Sequence, residues 1–182
     1  MLALMTALVL FAGCSQPAQL EESFNTWKTA FLEQAEHSIT ADITGHLDGR
    51  QSEYTLSYCC GPEEETVQVL APELIANVKA HIGKDETRLS FDGVMLETGG
   101  GIGQELSPLT ALPVFMDFLR EGHVESVWKE KAEDAELLVT ELELPNGTKM
   151  TLWQNKNDMS PLYAAIRADS SVEIIITMTS VT

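Results

Sequence analysis

The chain has 182 residues, a length that suits one domain with a sizeable core. Eleven Lys and Arg stand against 28 Asp and Glu, for a net charge of −17, and a surface this acidic repels phosphate backbones and anionic headgroups. No nucleic acid is expected as a partner, and the folded domain is not expected to lie flat on lipid by itself.

Leu2 to Ala12 are apolar except for Thr6, and the run stops at Gly13-Cys14-Ser15. As a helix this run rises only about 16 Å, roughly half of a hydrocarbon core, which is too short to span a membrane and fits the h-region of a secretion signal. Leu10-Phe11-Ala12-Gly13-Cys14 resembles the bacterial lipobox, whose cysteine receives a diacylglyceryl thioether and becomes the first mature residue. The expected organisation is therefore a signal peptide over 1–13, a lipidated Cys14 with its tether over 14–19, and a single domain over 20–182. Two acyl chains suffice for stable attachment where one is marginal. Membrane residence would then rest on palmitate-like chains at Cys14 in a bacterial cell envelope, placing the domain outside the cytoplasm.

Leu20, Phe24, Trp27 and Phe31 recur at spacings of four, three and four, lining one helical face with bulky groups. This predicts an amphipathic helix from about Pro17 to Glu36, laid over a sheet. From Ser38 the period changes to two: Ile39, Ala41, Ile43 and Leu47 alternate with polar residues, and Asp48-Gly49 supplies a type I′ hairpin turn. Ser52 to Cys60 is the return strand and Thr66 to Leu70 a third. The acidic run Glu63-Glu64-Glu65 lacks the spaced oxygen ligands of a calcium loop and reads as a solvated turn.

Pro72 to Ala76 is ambiguous between a helical turn and an extended stretch. Val78 to Ile82, Thr87 to Phe91 and Val94 to Glu97 read as short strands. Antiparallel meanders at such intervals cannot build a parallel α/β sheet. Gly99-Gly100-Gly101-Ile102-Gly103 has neither the Lys-Ser/Thr of a phosphate loop nor a dinucleotide spacing, and reads as a loop.

Ser107 then caps a helical stretch with Pro108 at its first position. Leu109, Leu112, Phe115, Met116 and Leu119 form its apolar face, and Gly122 ends it. Pro113 would clash inside a continuous helix, so a break near Leu112 and two short pieces are expected. Five further strands follow, at Val124 to Lys129, Glu136 to Leu144, Lys149 to Gln154, Leu162 to Arg167 and Val172 to Ser180. Asn146-Gly147 turns the second into the third and Asp169-Ser170-Ser171 turns the last pair. The last strand is apolar on nearly both faces in its middle, which predicts either a central position or a ligand or helix lining its second side.

No catalytic constellation emerges. His37, His46, His81 and His123 are far apart, with no HExxH or paired-ligand spacing, no GxSxG occurs, and the pair Cys59-Cys60 has no obvious base. Adjacent cysteines on a strand point to opposite faces and sit closer than the usual disulfide span, so they read as two small side chains of which one packs inward, with a strained vicinal disulfide as the alternative outside the cytoplasm. No enzyme, cofactor or metal is expected.

The order of elements is a helix, a long antiparallel meander, a helical insertion, and more antiparallel strands. In that order, and in Phe91-Asp92-Gly93, Ser107-Pro108-Leu109-Thr110-Ala111-Leu112-Pro113 and Ile174 to Met178, the chain resembles the LolA-like superfamily. That family includes a periplasmic lipoprotein carrier, an outer-membrane acceptor and clostridial lipoproteins of the GerS germination type. The resemblance implies a mainly β (α+β) fold: a curved antiparallel half-barrel of about 10 to 11 strands around a greasy cavity, covered by helices. Leu20, Phe24, Trp27 and Phe31, with Leu109, Leu112, Phe115, Met116 and Leu119, are then the lids. The function it implies is non-enzymatic binding of lipid, an acyl chain or a hydrophobic partner by a membrane-anchored lipoprotein. The alternative is a protein-interaction lipoprotein of the germination type, acting on envelope or spore-cortex machinery through a protein partner.

Overall fold

The computed structural model describes residues 16–47, 49–61, 64–83, 87–91, 94–97, 106–132, 135–168 and 172–182. The signal over 1–13, Cys14, Asp48, the glycine-rich loop at 99–103 and the turn at 169–171 lie outside these residues.

Eleven antiparallel strands form one open, curved sheet roofed by two helices. In chain order these are α1 (Gln16–Leu32), β1 (His37–Leu47), β2 (Arg50–Cys60), β3 (Glu65–Ala71), β4 (Lys79–Ile82), β5 (Thr87–Phe91) and β6 (Val94–Glu97). Then come α2 (Ala111–Glu121), β7 (His123–Ala132), β8 (Ala135–Glu143), β9 (Lys149–Asn155), β10 (Pro161–Arg167) and β11 (Val172–Val181). The spatial order is β6-β5-β4-β3-β2-β1-β11-β10-β9-β8-β7. The chain thus begins mid-sheet, meanders out to β6, crosses through α2 to the opposite edge, and meanders back until β11 closes against β1. All eleven strands read from the sequence are present.

Turn chemistry sets the registers. Leu47 pairs with Arg50, leaving a two-residue turn in which Gly49 has φ 75°, a conformation that suits glycine. The β8–β9 hairpin closes with Leu144 N–H donating to Thr148 O at 2.9 Å, Gly147 N–H donating to Leu144 O at 2.9 Å, and Gly147 at φ 84°. The ambiguous stretch after Pro72 is a single 3-10 turn, Glu73–Ile75.

The core lies on the concave face. Ile39, Ala41, Ile43, Leu56, Tyr58, Val67, Val69, Leu138, Leu142, Met150, Leu152, Ala164, Ile166, Ile174 and Ile176 supply it from seven strands. β11 is central, as its apolar middle predicts. A smaller apolar row crosses the outer face, where Trp128, Val139, Trp153 and Tyr163 are successive ladder partners. Glu130 accepts from both indoles there, from Trp128 Nε1 at 2.8 Å and Trp153 Nε1 at 3.1 Å. This clasp leaves Val139 no exposed surface.

The roof has the two helical pieces, the break near Leu112 and the end at Gly122 that the sequence predicts. The break falls before Pro113, because a 3-10 turn over Pro108–Thr110 gives way to α2 at Ala111. Pro113 therefore sits in the first helical turn, where a missing N–H costs nothing. Gly122 ends α2 at φ −67°, outside the left-handed region. Its glycine is required by proximity instead: a Cβ there would lie 2.5 Å from the Phe118 carbonyl oxygen.

Candidate functional site: the roof and the mouth of the half-barrel

α1 carries two layers of aromatic contact. Phe24 and Trp27 lie 5.8 Å apart, Trp27 stacks on Phe31 at 5.3 Å, and Phe31 stacks on His37 at 4.4 Å, which carries the ladder from α1 onto β1. Phe24 and Phe31 are buried; Leu20 and Trp27 are half-buried against the core. α1 touches α2 and β7.

α2 is the inner helix. Every residue from Ala111 to Leu119 except Asp117 is buried, and a helix apolar all round must be covered on all sides. It therefore lies inside the concavity, beneath α1 and over the sheet. Leu112, Phe115, Met116 and Leu119 keep no surface that a water molecule could touch, and Phe24 likewise. These five lid residues consequently border no void of molecular size. Leu109, the remaining lid position, points outward at 40 % exposure.

A polar cluster, unforeseen from the sequence, closes the mouth where the C-terminal end of α2 meets β1–β3. Arg120 Nη2 contacts Glu65 Oε1 at 2.7 Å and donates to Cys60 Sγ at 3.4 Å, while its Nη1 lies 3.6 Å from Asp117 Oδ1. Cys60 is the ladder partner of both His37 and Glu65. Burial opposes the charge of Arg120, yet the hydrogen bond and charge of Glu65 outweigh it and raise the guanidinium's pKa above its ordinary value. Burial, then the charge of Arg120, lowers the pKa of His37. Burial first, and Glu65 next, push the Tyr58 phenol far up. Among the described residues, neither the Tyr58 hydroxyl nor His37 Nδ1 meets a hydrogen-bond partner in good geometry.

Chemically, this cluster fastens the roof to the sheet. The carboxylate that would activate a neighbour is already neutralised by Arg120, and the imidazole is packed flat on Phe31. Cys59 and Cys60 are free thiols, Cys59 exposed and Cys60 packed against the core. A shallow depression of about 490 Å³ outside the cluster is lined by His37, Cys59, Cys60 and Glu64 among others.

The sheet outgrows its roof at β3–β6. Leu70, Leu74, Phe91, Val94 and Met95 are exposed there, five of the seven large apolar side chains exposed among the described residues. The register places them at one end of the sheet but on both of its faces: Met95 belongs to the row Gln68, Lys79, Ser90, Met95, with Leu70 beyond it on β3, whereas Phe91 and Val94, the next pair along, point to the opposite face, the one that carries Val67. Leu74, in the 3-10 turn at that end, is 90 % exposed. No helix among the described residues is long and apolar enough to cross a membrane.

The fold is similar to that of solved structures of low sequence identity. The chain is similar to a DUF1329 family protein from Desulfovibrio piger, with a TM-score of 0.52 and 10% identity over 91% of this chain and 92% of that one. It is similar to an uncharacterized conserved protein from Thermus thermophilus, with a TM-score of 0.52 and 10% identity over 89% of this chain and 86% of that one. A LolA superfamily protein from Nitrosomonas europaea also matches, with a TM-score of 0.47 and 14% identity over 91% of this chain and 93% of that one. The likeness is one of fold. No family model matches the chain, and no curated protein matches it.

Proposed function

We propose that this chain is a non-enzymatic, extracytoplasmic binding module, tethered to a membrane through lipid on Cys14, that works through an apolar protein partner docked on the β3–β6 wing. The observation that carries this reading is the contrast between a shut interior and an open wing. Exposing Leu112, Phe115, Met116, Phe118 and Leu119 to empty the concavity would cost on the order of 10 kcal/mol, comparable to the whole stability of a domain. An acyl chain leaving a bilayer exchanges one apolar surrounding for another, so it gains little to offset that cost. The wing requires no such rearrangement, and a rimmed apolar patch on a soluble surface marks a contact site.

The net charge of −17 adds a second requirement. A basic partner would be steered toward the module and an acidic one repelled.

The test is crosslinked capture from native membranes with wild-type protein and with Leu74→Ser/Phe91→Ser/Val94→Ser. The reading expects one partner, retained by the wild type and lost from the triple variant, with the melting temperature little changed because these side chains are already exposed. Capture unaffected by the triple substitution, or lipid recovered from wild-type protein by organic extraction, would contradict it.

A further inference from the structure

We propose that His123, Glu125 and Glu143 form a binding site for a divalent transition ion of the zinc type on the outer face of the sheet, where β7 leaves the end of α2. His123 and Glu143 are direct ladder partners on β7 and β8. The register between these strands shifts between Val124 and Ser126, so Glu125 is the extra residue of a β-bulge. A bulge turns a side chain from its regular direction, and such features recur beside functional sites. Here it brings Glu125 Oε1 to 2.7 Å from His123 Nε2. One ligand atom from each of the three residues lies within 4.8 Å of the other two.

The donor set selects the ion. One imidazole nitrogen with two carboxylate oxygens suits zinc and its neighbours better than calcium or magnesium, which take oxygen alone. With bonds of about 2.0 to 2.2 Å, tetrahedral ligand atoms stand about 3.3 Å apart. Surface side chains reach that spacing by small rotamer adjustments, since His123 is 58 % and Glu125 40 % exposed. Three protein ligands leave a fourth position open to water or to another molecule's donor.

A cation already serves the carboxylates. Lys149, the ladder partner of Glu143 on β9, places Nζ 3.1 Å from Glu143 Oε2. The ammonium thus stands where excess negative charge collects, and a metal ion must compete with it. This gives the site a signature that adventitious carboxylate binding lacks: removing Lys149 should strengthen metal binding.

The experiment is calorimetric titration of the full-length protein with zinc chloride. One equivalent should bind saturably. His123→Ala and Glu143→Gln should each weaken binding at least tenfold, and Lys149→Met should tighten it severalfold, with melting curves confirming that each variant is folded. Nitrogen-15 spectra of the histidine side chains should show zinc shifting the His123 ring and leaving His46 and His81 in place. Absent saturable binding, full affinity in His123→Ala, or an unmoved His123 ring would each overturn the proposal, as would a Lys149→Met variant that binds zinc no more tightly.

Discussion

Arg120 on α2 and Glu65 on β3 meet at 2.7 Å across the mouth of the half-barrel, an ion pair that joins the roof to the sheet. Their side chains are 36 % and 21 % exposed, so solvent screens the pair and its worth is modest. A double-mutant cycle with Arg120→Met and Glu65→Gln, read by urea unfolding, should give a coupling of about 1 kcal/mol. Arg120→Met alone should cost more than the coupling, because it leaves the Glu65 carboxylate partly buried without a counter-charge.

The packing of α2 predicts a steep contrast between neighbouring lid residues. Phe115→Ala removes a ring with no exposed surface and should cost about 3 to 5 kcal/mol. Leu109→Ala, on the outward side of the preceding turn, should cost about 0.5 kcal/mol or less. Equal losses in chemical denaturation would mean that the roof is not seated as described.

Gly122→Ala tests a backbone contact. Its φ of −67° is open to any residue, yet an added Cβ would meet the Phe118 carbonyl oxygen at 2.5 Å. The link between α2 and β7 must shift to relieve it, at about 1 to 3 kcal/mol. A neutral effect in thermal melting would show that this link is free to move.

His37 gives the fold a pH dependence of known sign. Its folded-state pKa is lowered from 6.5, by burial and then by Arg120, so the unfolded chain binds the proton more readily. The stability it contributes is fully present above pH 6.5 and is lost as pH falls through the folded value. His37→Phe keeps the ring stacked on Phe31 and removes the titration. Its melting temperature should fall less than the wild type's between about pH 7 and pH 5.

Much of the sheet was legible because turn chemistry and alternation agree. A two-residue turn at 48–49 fixes every pairing from Leu47 with Arg50 back to His37 with Cys60, so the imidazole opposite the thiol was implicit in the hairpin. The hydrophobic periods likewise located Phe24, Phe31 and Phe115 in the core. What periodicity cannot give is the meeting of distant segments. Arg120 and Glu65 are brought together only by how α2 enters the concavity, and α2's burial on all sides follows from α1 lying above it. The bulge at Glu125 is also silent in the sequence, because one extra residue leaves a strand's composition unchanged. The overhang of β5 and β6 beyond the roof depends on where the helices stop, which no local pattern states.

With Phe24, Leu112, Phe115, Met116 and Leu119 fully buried, the concavity is filled by the chain's own side chains and holds no space for an acyl chain. Titration of the purified protein with a fluorescent long-chain fatty acid tests this most directly. No saturable binding is expected, and no change on Phe115→Ala beyond lost stability, whereas one-to-one saturable binding that competes with unlabelled palmitate would show that the concavity opens to a ligand.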